Sequence, residues 1–119
     1  MSITQKLHPP PILEWWLQLQ PSVKTFSDII KLSPTSDAEK AKDFANNIRI
    51  LYHAIQQPVC PEELNEAYNH FARAVINLYM CHDAAVMWQW EKSRAYFEAA
   101  TASWDDAKRA FHDKGFLGL

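Results

Sequence analysis

The chain has 119 residues, 48% hydrophobic and 22% charged, with 12 Lys and Arg against 14 Asp and Glu for a formal net charge of −2. This is an ordinary globular composition, which argues against wholesale disorder, and neither half has the basic excess from which nonspecific nucleic-acid binding draws its affinity. The longest strictly apolar run is about five residues, against the roughly 20 that a membrane span requires.

No apolar stretch suited to a secretory signal follows Met1, so the expected location is cytoplasmic. The length suits one small helical domain over 1–119, since a chain of this size buries enough surface to fold without disulfides. Cys60 and Cys81 are too few for a disulfide scaffold. If 61–81 is helical they stand about 30 Å apart at about 1.5 Å per residue, and both are expected as free thiols.

All seven prolines lie at or before Pro61, and both glycines, Gly115 and Gly118, lie in the last five residues. The first half is therefore cut into short pieces, while the second runs unbroken. Residues 1–11, ending in Pro9-Pro10-Pro11, are expected to form an extended arm. Two short helices should follow: about 12–20, carrying Ile12, Leu13, Trp16 and Leu17 and stopped by Pro21, and about 22–32, carrying Val23, Phe26, Ile29 and Ile30.

Ser36-Asp37-Ala38-Glu39 has the form of a capping box with Ser36 as the cap. The helix it opens, about 37–57, places Ala41, Phe44, Ala45, Ile48, Leu51, Tyr52 and Ile55 on one stripe. Pro61 followed by Glu62 and Glu63 suits another helix start. That helix, about 61–81, sets Leu64, Tyr68, Phe71, Val75 and Leu78 on one face and Glu63, Glu66, His70, Arg73 and Asn77 on the other.

A single helix from 61 to 114 would be about 80 Å long, so a corner is expected at Cys81-His82-Asp83, with the last helix at about 84–114 closed by Gly115. The fold class is all-α, a bundle of about five helices. Leu64-x-x-Ala67-x-x-x-Phe71 recurs as Trp104-x-x-Ala107-x-x-x-Phe111, and reads as two amphipathic helices sharing residue types.

Catalytic and cofactor chemistry finds little support. Cys-x-x-Cys, His-Glu-x-x-His and Glu-x-x-His spacings do not occur, and two C-terminal glycines cannot build a phosphate-cradling loop. Glu66 and His70 read as an exposed helical pair, and His82 as a partly buried residue at the corner. No cofactor or metal is expected, and the protein is expected not to be an enzyme. Charges on the last helix, Asp105 with Arg109 and Arg94 with Glu98, are spaced to compensate one another.

The last helix is more apolar than one buried stripe explains. With Trp90 as reference, Val86, Phe97, Ala100, Trp104, Ala107 and Phe111 form a core stripe, and Ala84, Ala85, Trp88, Ala95, Ala99, Ala102 and Ala110 cluster nearly opposite. The apolar arc spans roughly 220°, about twice what the outside of a bundle needs. Either the N-terminal helices with Trp15 and Trp16 cover the alanine side, or that side accepts a helix from another molecule.

The expected function is accordingly that of an adaptor or regulatory protein that binds another protein, or itself as a homodimer. The candidate contact residues are Trp88, Ala84, Ala95, Ala99 and Ala102. The alternative is a helical subunit of a ribonucleoprotein that touches phosphates through Lys40, Lys42, Arg49 or Arg73.

Overall fold

A computed structural model of the chain describes residues 10–116. Among the described residues there are four α-helices, one 3-10 turn and no strand: α1 Pro10–Lys31, α2 Ala38–Ile55, the turn Glu62–Leu64, α3 Asn65–Val86 and α4 Trp90–Asp113. The all-α class holds, with four helices where five were expected. Residues 1–9 of the expected N-terminal arm lie outside the described residues, and Pro10 and Pro11 belong to α1. Proline suits a first turn because its missing N–H would have no helical partner there.

The first two expected helices are one, because Pro21 does not stop α1. Its missing N–H leaves the Leu17 carbonyl without an intrahelical donor. Leu17 and Pro21 are both exposed, so water can satisfy that carbonyl. On the other side Ile12, Trp15, Trp16, Leu19, Val23, Phe26 and Ile30 form one unbroken buried stripe across the proline. Burial of that stripe outweighs a penalty of about 3 kcal/mol. Pro21→Ala is expected to raise the unfolding free energy by about 1–3 kcal/mol, measured by urea denaturation. A loss of stability would mean that the ring contributes packing the helix needs.

Asp37, rather than Ser36, caps α2. Its Oδ1 accepts from the Glu39 and Lys40 backbone N–H groups at 3.0 and 3.3 Å. A carboxylate there also suits the positive end of the helix dipole, which a hydroxyl does not. Beyond the cap the stripe falls as its spacing predicts, with Ala41, Ala45, Ile48, Leu51 and Ile55 buried and Phe44 and Tyr52 half-buried. Pro61 opens the 3-10 turn, and the α-helical part of the next element begins at Asn65 instead of 61.

The helix α3 also ends later than expected, at Val86, and the corner is Met87-Trp88-Gln89 rather than Cys81-His82-Asp83. Cys81, His82, Ala84 and Ala85 are all buried, so helix continuation gains contacts that an early turn at Asp83 would lose.

α3 and α4 make the most extensive helix pair and α2 with α3 the next. Their seams are regular: Ala67, Phe71, Ala74, Leu78, Cys81 and Ala85 on α3, and Ser93, Phe97, Ala100, Trp104, Ala107 and Phe111 on α4 alternate steps of four and three. This is the spacing of left-handed antiparallel packing. Cys81 meets Ser93 near the corner (Sγ–Oγ 3.4 Å), and the Phe71 and Trp104 rings meet 5.9 Å apart further along, which sets the register.

The recurring Leu/Trp-x-x-Ala-x-x-x-Phe pattern thus marks core positions on two helices of one seam. Alanines at Ala67, Ala74, Ala100 and Ala107 let these backbones approach. α1, by contrast, reaches the pair through large rings: Phe26 lies 5.5 Å from Phe71 and 5.0 Å from Trp104, and Trp16 lies 5.1 Å from Phe111 and 4.7 Å from Phe116.

Candidate functional site

The least ordinary stretch of backbone is the α3–α4 corner. The Trp88 N–H donates to the Ala85 carbonyl at 3.0 Å and the Gln89 N–H to the Ala84 carbonyl at 2.9 Å. These two bonds define a Schellman motif, whose residue after the helix cap must adopt a left-handed conformation. That residue is Trp88, with φ of 61°. The same motif closes α4, where the Gly115 N–H donates to the His112 carbonyl at 2.9 Å and the Phe116 N–H to the Phe111 carbonyl at 3.0 Å.

At that second corner the left-handed residue is Gly115, with φ of 91°. One chain therefore builds the same cap twice, once with the residue that fits and once with a tryptophan. A side chain with a Cβ costs roughly 1–2 kcal/mol in this region. The cost brings no burial: Trp88 is 69% exposed, beside Met87 at 65%.

Trp90, the first residue of α4, joins them. Its ring lies 5.5 Å from that of Trp88 at 77°, an edge-to-face pair. Sequence reasoning used Trp90 as the reference for a core stripe, but at 37% exposed it stands at the surface. It lies between two shallow depressions that share Arg94, one bordered by Glu91, Ala95 and Glu98, the other by Pro34, Thr35, Ser36 and Ser93.

Of the residues singled out from sequence, Trp88 stands in the corner, and Ala95, Ala99 and Ala102 are exposed on the outer face of α4. Ala84 is separated from them: it belongs to α3 and is buried under the corner. Trp15 and Trp16 do not cover the alanine side. They turn inward, both within ring contact of Phe111. Met87 and Trp90 were missed, because the signal that finds them is the position of the corner.

Charges on α4 pair at three residues rather than four, Lys108 with Asp105 and Arg109 with Asp106, each at 3.5 Å. Lys40, Lys42 and Arg49 are exposed along α2 but alternate with Glu39 and Asp43.

One buried constellation resembles a nucleophile and base. The His82 side chain is inaccessible to solvent, and its Nε2 lies 2.8 Å from the Ser33 Oγ, with the ring 5.1 Å from Phe44. Ser33 Oγ donates its one proton to the Ile29 carbonyl at 2.8 Å. The hydroxyl must therefore accept from Nε2–H, and His82 holds its proton on the nitrogen a base would need free. Nδ1 is buried with no partner among the described residues, so no carboxylate of theirs orients the ring. The pair joins the end of α1 to α3 as a structural hydrogen bond, and burial lowers the His82 pKa from 6.5 to about 4.

The two cysteines are free thiols, as expected. Burial pushes Cys60 up to about 11 and raises Cys81, the latter partly offset by its hydrogen bond to Ser93. Neither has the lowered pKa that makes a thiol nucleophilic. Glu66 and His70 form a 4.0 Å pair one helical turn apart. Among the described residues no three His, Cys, Asp or Glu side chains are placed to hold a metal, and no helix is long and apolar enough to cross a membrane.

No protein-family model, curated protein or solved structure matches this chain.

Proposed function

We propose that the chain is a non-catalytic protein-interaction module that engages its partner through the α3–α4 corner, with Trp88 and Trp90 as anchors and Ala95, Ala99 and Ala102 as the surface that admits close approach. The observation that carries this reading is Trp88, a large aromatic held exposed in a left-handed conformation where the same chain elsewhere uses Gly115. Backbone strain concentrates at functional positions, and exposed tryptophan is the residue type most enriched among energetic anchors of interfaces. The simplest partner is a second copy of the chain.

Sedimentation velocity across concentration tests this. The wild type is expected to self-associate. Trp88→Gly is expected to be monomeric while its unfolding free energy stays the same or rises by up to about 1 kcal/mol. Ala99→Glu should weaken association and leave helicity unchanged. A wild type that remains monomeric at millimolar concentration would overturn the homodimer, and association that survives Trp88→Gly would remove the corner from the interface.

A further inference from the structure

A second feature, independent of what the corner binds, is the tie between the α1–α2 loop and α3. No residue from 31 to 40 is buried, so this segment has no buried apolar anchor of its own. It is held by Ser33, whose Oγ accepts from His82 Nε2–H and donates to the Ile29 carbonyl, each at 2.8 Å. The Leu32 and Ser33 N–H groups close the same turn on the Ile29 and Ile30 carbonyls at 3.0 and 3.2 Å.

The loop so placed lines a surface depression, with Pro34, Thr35 and Ser36 from the loop and Trp90, Ser93 and Arg94 from α4. Two consecutive residues of α3 hold the two contributors: His82 holds the loop through Ser33, and Cys81 holds α4 through Ser93. The two ties differ in what they tolerate. Cys81 stays a neutral thiol, its pKa raised by burial. A second proton on His82 would sit on Nδ1, which has no acceptor among the described residues, and would need water. Phe44 contacts the ring from α2, whose stripe from Ala41 to Ile55 is buried, whereas Ser33 contacts it from a segment with nothing buried. The loop is the side that yields.

We propose that Ser33 and His82 form an acid-released latch: protonation of His82 frees residues 32–37 from α3 and opens the depression beside Trp90 while the four helices stay packed. The charges nearest in sequence to the groups around the ring are Lys31 of α1, Asp43 of α2, Asp83 of α3 and Lys92 and Arg94 of α4, all exposed. None of them shifts His82; burial alone lowers it to about 4, against 6.5 once the loop has opened. The latch is therefore fully stable above about pH 6.5 and weakens as the pH falls toward 4.

Amide hydrogen exchange of the full chain between pH 7 and 4, expressed as protection factors, tests this. Protection at Leu32 and Ser33 is expected to fall about a hundredfold by pH 4, and their exchange should be insensitive to low urea, as a local opening is. The Trp90 indole N–H resonance should move with the same midpoint. In His82→Leu the fall at Leu32 and the Trp90 movement should both vanish, although Asp37 and Glu91 still titrate there. Ser33→Ala, which cuts the tie without removing the titrating group, should lower Leu32 protection about tenfold already at pH 7.

Leu32 and Ser33 exchanging with the protection and urea dependence of the α3 interior would show that only global unfolding exposes His82, and would overturn the latch. A Leu32 response that persists in His82→Leu, or a Trp90 resonance that does not follow His82, would overturn it equally. Every readout lies within one chain, so none of these outcomes bears on self-association through the corner.

Discussion

On acidification from pH 7 to 4 the unfolding free energy is expected to fall by up to about 3 kcal/mol on account of one residue, His82. Its pKa in the folded protein is lowered from 6.5 to about 4 by burial. The unfolded chain thus takes up this proton first. The stability is fully present above about pH 6.5 and is lost as the pH falls toward 4.

Geometry explains why the folded state resists the proton. Nε2–H is already donated to Ser33, and a second proton would sit on Nδ1, buried with no acceptor among the described residues. Phe44 of α2 faces the ring, Cys81 on α3 is hydrogen-bonded to Ser93 of α4, and no neighbouring charge contributes to the shift. His82→Leu leaves Ser33 its bond to the Ile29 carbonyl and removes the titrating group. Urea denaturation across pH should then give a flatter acid limb for the variant. Superimposable acid limbs would show that His82 is not the group responsible.

His82 also illustrates what was legible in the sequence. The sequence reads it as a partly buried residue at a corner; it is fully buried and lies within α3, ahead of the corner. Its partner, Ser33, lies 49 positions away in a loop that no local pattern connects to it. The same division runs through the fold. Stripes that repeat over several turns, such as Ala41 to Ile55 and Ala100 to Phe111, can be read directly because burial of one face is a local pattern.

Element ends were misplaced where a tertiary effect overrode a local rule. Pro21 is a stop by the local rule, but the buried stripe from Ile12 to Ile30 holds α1 together across it. A turn at Cys81-His82-Asp83 suits the local sequence, but Ala84 and Ala85 gain burial by continuing α3. The true corner has no turn residue to announce it, since Trp88 occupies the glycine position. That mismatch both hid the corner and makes it the candidate contact surface. A wheel begun at 84 sets Ala84 beside Ala95, Ala99 and Ala102, but the last helix begins at Trp90 and Ala84 lies on α3.

Trp104→Ala is expected to cost about 3–5 kcal/mol, a large part of the roughly 5–15 kcal/mol that stabilises a small domain. The ring is 6% exposed and meets both Phe26 of α1, at 5.0 Å, and Phe71 of α3, at 5.9 Å. Its removal opens a cavity where backbones are already held apart, and neither α1 nor α4 can close it without moving past Trp16 and Phe111. The alanine positions of the α3–α4 seam and the Cys81–Ser93 hydrogen bond near the corner remain when this ring is removed.

The variant should therefore lose the near-ultraviolet aromatic signal and α1 protection first, while α3 and α4 keep most of their helical signal, as followed by hydrogen exchange. Trp104→Phe, which retains a ring against Phe26 and Phe71, should cost less than half as much. If Trp104→Ala costs under about 1 kcal/mol, or if all four helices lose protection together, the aromatic layer is not what joins α1 to the α3–α4 pair.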